Sequence, residues 1–171
     1  MHNSSRRGLA QEMRHDGLIA LEEFTAPSLT TIEKGQYVDG IADIAVRPPW
    51  SGQHVFLDLT FPCAAAPTNR SSMVQEVIER AAGDKINRYH GRMIPLAFSD
   101  KGRPSLSTID TLFVLANMAA TQDTCTPGRM LNRWLCSLEV ARAAAMAETL
   151  LLVAGAAVAP AFPRACLSPI A

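Results

Sequence analysis

Apolar positions along this chain change period several times, and each change predicts an element. Leu9, Met13, Leu18 and Leu21 recur at helical spacing, which predicts a first helix over about 9–24 that ends at Pro27 and Ser28. The polar stretch before it, residues 1–8, reads as a disordered tail. Leu29–Ile32 reads as a strand, followed by a turn at Gly35. Tyr37–Val46 is a second strand, interrupted at Asp39–Gly40 by a tight turn or bulge. His54–Phe61 alternates most regularly, with Val55, Leu57, Leu59 and Phe61 on one face and His54, Phe56, Asp58 and Thr60 on the other. One wholly apolar face, with Phe56 on the second, predicts a central strand covered on both sides.

Helical spacing returns at Val74, Val77, Ile78 and Ala81, after Ser71 and Ser72 as candidate N-caps. Continuing that stripe lands on Lys85 and Tyr89, while Glu76–Arg80 and Asp84–Arg88 mark the solvent face. An ammonium in line with a core-facing stripe is costly unless it has a partner. Ile94–Ser99 predicts another strand, and Ser107 with Asp110 a capping box that opens a helix to about Met118. Thr126–Pro127 opens a last, alanine-rich helix over about 128–154, with Trp134 in the core. The sum is an α/β fold, a mixed sheet flanked by helices, with its core over 9–120 and a C-terminal helical extension and tail over 121–171.

Composition narrows this picture only modestly. A chain of 171 residues with 48% hydrophobic content suits one domain with a real core. Formal net charge is zero, so any nucleic-acid binding must rest on a local patch. Cys63, Cys125, Cys136 and Cys166 lack zinc-finger spacing and read as reduced, mostly buried thiols of an intracellular protein, nuclear or cytoplasmic. No apolar signal-peptide core follows Arg6 and Arg7. The fifteen uncharged residues Thr149–Pro163 fall short of a bilayer span and contain Pro160 and Pro163, so no membrane partner is expected.

The candidate chemistry lies on the two strands before the lysine helix. Asp43 sits in the alternating segment Ile41–Val46, and fourteen residues separate it from Asp58. A carboxylate in the middle of a central strand is destabilising unless something pairs with it. Asp43 and Asp58, with the Leu59 carbonyl as a further oxygen, make a candidate site for a divalent metal such as Mg²⁺. Lys85 then orients or activates an attacking water, or neutralises charge on a phosphate. Tyr89 is positioned to hydrogen-bond the lysine or the phosphate. The opposing reading makes Asp43 and Asp58 separate structural carboxylates and lets Lys85 reach past the helix end.

Asp43, a fourteen-residue gap, Asp58-Leu59-Thr60, and Lys85 with Tyr89 four residues on resemble the PD-(D/E)XK, or restriction-like, endonuclease superfamily. More narrowly, they are similar to the C-terminal endonuclease domain of site-specific non-LTR retrotransposon polyproteins. In that group the lysine has moved from the strand to the following helix, and Thr60 stands at the vacated position. Arg14-His15-Asp16 is also similar to the segment that precedes that domain. The resemblance covers roughly 14–115 and implies an αβββαβ restriction-endonuclease-like core acting as a metal-dependent DNA endonuclease. It implies Asp43 and Asp58 as ligands of Mg²⁺ or Mn²⁺ and Lys85 as catalytic lysine, with Glu22 or Glu23 on the first helix as an added ligand. It implies DNA as partner, beside a reverse-transcriptase-bearing protein or a second copy of the chain. Arg47, Arg70, Lys101 and Arg103 become candidate DNA contacts, with solvated loop charges as the equal alternative, and His54 and His90 lie close enough in sequence to be considered. Ala42 stands where proline precedes the first aspartate in the family, and no zinc-knuckle-like cysteines accompany the core. A non-catalytic nucleic-acid-binding or structural domain on the same fold is the alternative. An acid–base enzyme for small molecules finds no glycine-rich loop or cofactor motif in its support.

Overall fold

A computed structural model describes residues 2–33, 35–63, 73–120 and 125–158 of the chain. Its elements run α1 (His2–His15), β1 (Ile19–Thr25), a 3-10 turn (Pro27–Leu29), β2 (Thr31–Glu33), β3 (Gln36–Val38), β4 (Ile41–Arg47), β5 (Val55–Thr60), α2 (Val74–Arg88), β6 (Ile94–Ala97), α3 (Leu106–Ala120) and α4 (Pro127–Val158). Four strands form one mixed sheet in the order β1-β4-β5-β6, and β2 and β3 form a separate hairpin. β5 is an inner strand, antiparallel to β4 and parallel to β6 across the α2 crossover.

The sheet is apolar on both faces, as the side-chain pattern of β5 requires. On one side Ile44, Val46, Leu57, Leu59 and Leu96 meet Leu9 and Met13 of α1, Leu112 and Leu115 of α3, and Met130, Trp134 and Leu138 of α4. Burying each such side chain contributes about 1.5–3 kcal/mol relative to exposure. On the other side Ile78 and Ala82 of α2 pack on Ala97, and Tyr89 and Met93 join Leu29, Ala42, Phe24 and Phe56. The predicted C-terminal extension therefore shares the main core through α4.

The start of the chain differs most from expectation. Residues 2–8 are the first half of α1 rather than a tail, with Ser5 and Arg6 buried. The helix stops at His15, where Gly17 takes φ 84°. Leu18 N–H then donates to Met13 C=O and Gly17 N–H to Arg14 C=O, a Schellman closure that needs the glycine. Leu21, Glu22 and Glu23 consequently lie on strand β1 and not on a helix.

Smaller differences have equally local causes. The break at Asp39–Gly40 separates β3 from β4 because Gly40 lies against Leu29, where an added Cβ would sit 2.3 Å from the Leu29 carbonyl oxygen. α3 is capped by Ser105, whose Oγ accepts the Thr108 N–H at 3.1 Å, and not by Ser107 with Asp110. Thr108 Oγ1 in turn accepts the Ala97 N–H, tying the cap to β6. Ser71 and Ser72 lie outside the described residues. The Met73 N–H at the start of α2 donates to Glu76 Oε2. No disulfide joins Cys63, Cys125 or Cys136, and Cys63 and Cys136 are exposed rather than buried. Among the described residues no helix is long and apolar enough to cross a membrane.

One polar cluster locks α1 to α4. The buried Asp16 carboxylate accepts the Trp134 indole N–H at 2.7 Å and also pairs with Arg133, which reaches Glu12 at 2.9 Å. Asp16→Ala leaves that indole N–H buried without an acceptor and is expected to lower stability by about 2 kcal/mol. The check is the shift of the urea midpoint at unchanged slope.

Candidate functional site

Asp43 and Asp58 come from neighbouring strands. The β4–β5 ladder pairs Val46 with Val55 and Ile44 with Leu57 and ends there, with Asp43 and Asp58 the next residues on the two strands. There a side chain takes over from the main chain, and Leu59 N–H donates to Asp43 Oδ2 at 2.6 Å. From α2, on the other side, Lys85 places Nζ 2.8 Å from Asp58 Oδ2. At that distance the ammonium is the charge partner of this buried oxygen. Of the stripe that singled out Lys85, Val77, Ile78 and Tyr89 are buried, whereas Val74 is exposed and Ala82 is buried in place of the half-buried Ala81.

Burial dominates the electrostatics of Asp58. Desolvation raises its pKa above the usual carboxylate value, Lys85 opposes the rise through its hydrogen-bond and charge contributions, and the Asp43 charge adds to it. Lys85, and more weakly His2, thus only partly offset the burial of the Asp58 carboxylate.

The pattern reading missed His2. Its Nε2 lies 3.0 Å from Asp43 Oδ2 and 3.0 Å from the Leu59 carbonyl oxygen. Both neighbours are acceptors, so Nε2 carries the proton and donates to them. The bond to Asp43 is the largest cause of a raised His2 pKa. Extending the apolar stripe of α1 backwards from Met13 and Leu9 lands on Arg6 and His2. That is the same in-stripe signal that revealed Lys85, hidden by reading residues 1–8 as a tail.

Glu22 and Glu23 are held in ion pairs. Arg6 Nη1 lies 2.7 Å from Glu23 Oε1 and its Nε 3.7 Å from Glu22 Oε2, while Arg14 Nη2 lies 3.0 Å from Glu22 Oε1. Consecutive strand residues normally face opposite ways, yet both glutamates reach one arginine. Glu23 manages this by adopting φ 51°, an uncommon and strained value for a residue with a side chain. The register pairs Glu22 with Ile44 and Phe24 with Ala42, so the strained residue sits beside Asp43.

The other candidates separate. Tyr89 is a packing residue beside Leu29, Ala42 and Met93, with Arg88 over its ring at 5.6 Å, and among the described residues no hydrogen bond joins its hydroxyl to Lys85. Arg47 closes the β4–β5 loop by donating to the Ser51 carbonyl oxygen at 2.7 Å, at the end of β4 away from Asp43. His54 stacks on Phe24 and Phe56. His90 is exposed in the turn after α2. Lys101 and Arg103 are exposed in the turn that follows β6, at the same end of the sheet as Asp58 but without a hydrogen bond or ion pair to it among the described residues. Arg70 lies outside the described residues.

The donor set fits a hydrated hard cation. Asp43 Oδ2 and the Leu59 carbonyl oxygen converge on the point now held by the imidazole N–H, and the buried Asp58 Oδ2, paired with Lys85, lies on the adjacent strand. Mg²⁺ commonly takes one or two carboxylates and keeps several waters, so it needs no fuller cage. Among the described residues no group of three or more His, Cys, Asp and Glu side chains forms such a cage. No family model matches the chain, and no curated protein or solved structure matches it.

The two aspartates should answer differently to substitution. Asp58 is disfavoured as an ion in the folded state, so Asp58→Asn is expected to unfold at or above the wild-type temperature at pH 7. Asp43→Ala deprives Leu59 N–H and His2 of their acceptor and is expected to lose about 2 kcal/mol. Because the His2 pKa is raised above 6.5, its contribution is complete below that pH and is lost as pH rises through the higher folded value. Melting temperatures from pH 5 to 9, on the order of ten points, should show that decline in the wild type and not in His2→Ala.

Proposed function

We propose that this chain is a divalent-metal-dependent nuclease domain that hydrolyses DNA phosphodiesters, of the retrotransposon type within the PD-(D/E)XK superfamily. The observation that carries the reading is the contact between Lys85 Nζ and Asp58 Oδ2 at 2.8 Å, with Asp43 on the adjacent strand. The element order supports it as well: without the β2–β3 hairpin, the sheet and the helices linking its strands read α1-β1-β4-β5-α2-β6, an αβββαβ core.

Asp43, Asp58 and the Leu59 carbonyl are the groups that would hold Mg²⁺ or Mn²⁺, which when bound supplies Lewis-acid polarisation of the phosphate. The rest falls to the chain's own residues. Lys85, partly exposed and steadied by Asp58, presents an ammonium that orients a water or offsets charge developing on the phosphate oxygens. α2 fixes that ammonium through Val77, Ile78 and Ala82, so Lys85 depends on helix packing rather than on a loop. Tyr89 contributes by seating the last turn of α2. A reverse-transcriptase-bearing partner or a second copy of the chain belongs to the same proposal.

One observation favours the second reading, a nucleic-acid-binding domain without catalysis: the His2 imidazole fills the point where Asp43 and Leu59 oxygens converge. A plasmid-nicking assay in Mg²⁺ or Mn²⁺ separates the two. The nuclease reading expects metal-dependent nicking by the wild type, with losses of roughly 100-fold or more in Asp58→Ala and Lys85→Ala. Wild-type binding without nicking would establish the second reading, and full nicking by Asp58→Ala would sink the first.

A further inference from the structure

At the start of α1 a single side chain turns toward the acidic strand end. Of residues 2–4, His2 is half-buried while Asn3 and Ser4 are exposed. The next anchors are Ser5 and Arg6, both buried, and Arg6 is tied to Glu23 at 2.7 Å.

The imidazole has a built seat. Its Nε2 lies 3.0 Å from Asp43 Oδ2 and 3.0 Å from the Leu59 carbonyl oxygen, and Phe61 meets the ring edge-on at 6.3 Å. Phe61 is itself stacked on buried Phe98 at 5.4 Å, so the wall of the seat belongs to the main core. The charge of His2 also favours the ionised form of Asp58, which puts the ring within electrostatic reach of the second carboxylate.

What decides the role of this ring is the place of its proton. An N–H donating at such a distance sets its hydrogen about 2 Å from the acceptor. An Mg²⁺–oxygen bond is also about 2.0–2.1 Å long. The hydrogen shared by Asp43 Oδ2 and the Leu59 carbonyl therefore stands in for a divalent ion held by the same two oxygens. Proton and ion exclude each other there.

The ring can also leave. Its side chain is 43% exposed, and helix ends open locally at low cost. Opening residues 2–4 breaks the contacts of His2 and leaves Arg6, Leu9 and Met13 where they are.

We propose that the first turn of α1 is an internal plug: the His2 N–H holds the cation position of the resting chain, and a divalent ion loads only as His2 swings out. The plug rests on the nuclease reading for the class of metal, yet metal binding is measurable without DNA and without cutting.

The test is a Mn²⁺ titration of the full chain at one fixed pH, read by the spin-resonance signal of free Mn²⁺, with Mg²⁺ as competitor. His2→Ala is expected to bind roughly 10-fold more tightly than the wild type, the worth of a hydrogen bond to a charged acceptor. Adding Asp58→Asn is expected to remove that gain, which maps it to this site. A second measurement needs no variant. In the nitrogen–proton NMR spectrum of the wild type, Mg²⁺ is expected to move the His2 ring signals toward those of exposed His15 and His90, while the Trp134 indole signal stays in place. Weaker metal binding by His2→Ala would overturn the plug and make His2 a ligand. Equal binding, no binding by either protein, or His2 signals unmoved at saturating Mg²⁺ would overturn it as well, even if the wild type nicks plasmids. Tighter binding by His2→Ala would uphold it even if no plasmid is nicked.

Discussion

A carboxylate on an inner strand, covered by helices on both faces, must be compensated from those faces or stay protonated. Asp58 imposes this constraint on the whole end of the sheet. α2 answers with Lys85 from one side. α1 answers with His2 from the other, bonded to neighbouring Asp43 and to the Leu59 carbonyl. Two helices that share no core cluster are thus drawn to the same strand end by charge, while their apolar stripes set how they lie on the sheet.

The same logic extends along the sheet. Glu22 and Glu23 on β1, Asp43 on β4 and Asp58 on β5 form an acidic row, met by Arg6, Arg14, His2 and Lys85. Removing a carboxylate partner of the buried Arg6 guanidinium is costly, because it leaves that charge buried and under-paired. The positive φ of Glu23 belongs to this row, since it turns a second glutamate toward Arg6 at the cost of local strain.

What was legible in the sequence was whatever depended on one period at a time. Alternation in His54–Phe61 placed Asp58 on a two-sided strand, and the interrupted stripe of α2 exposed Lys85. The α1–β1 boundary escaped because Leu18 and Leu21 fit the helical spacing set by Leu9 and Met13, although they belong to the closure and the strand. The deciding signal was Gly17 after Asp16, a helix stop that hydrophobic spacing does not register. From that error followed the loss of His2 and Arg6 and the misplacement of Glu22 and Glu23. Tyr89 fell on the right stripe, but its ring serves the small core under the hairpin base. Spacing names a face and says nothing of which atom on it is used.

The two ends of α1 are held by different physics, and this bears on the proposed chemistry. Its C-terminal half is fixed by Leu9 and Met13 in the core, by the Gly17 closure and by Asp16 against Trp134. Its first turn is held to the sheet by His2 through the two oxygens that a divalent ion would need. Linkage then makes the two occupants competitors: whatever free energy docks His2 is subtracted from the affinity of an incoming cation, and the reverse holds equally. Because helix ends open locally at low cost, that exchange is confined to the first turn and leaves the core intact. An exchange of occupants there would leave the fold unchanged, as the proposed hydrolytic centre would require.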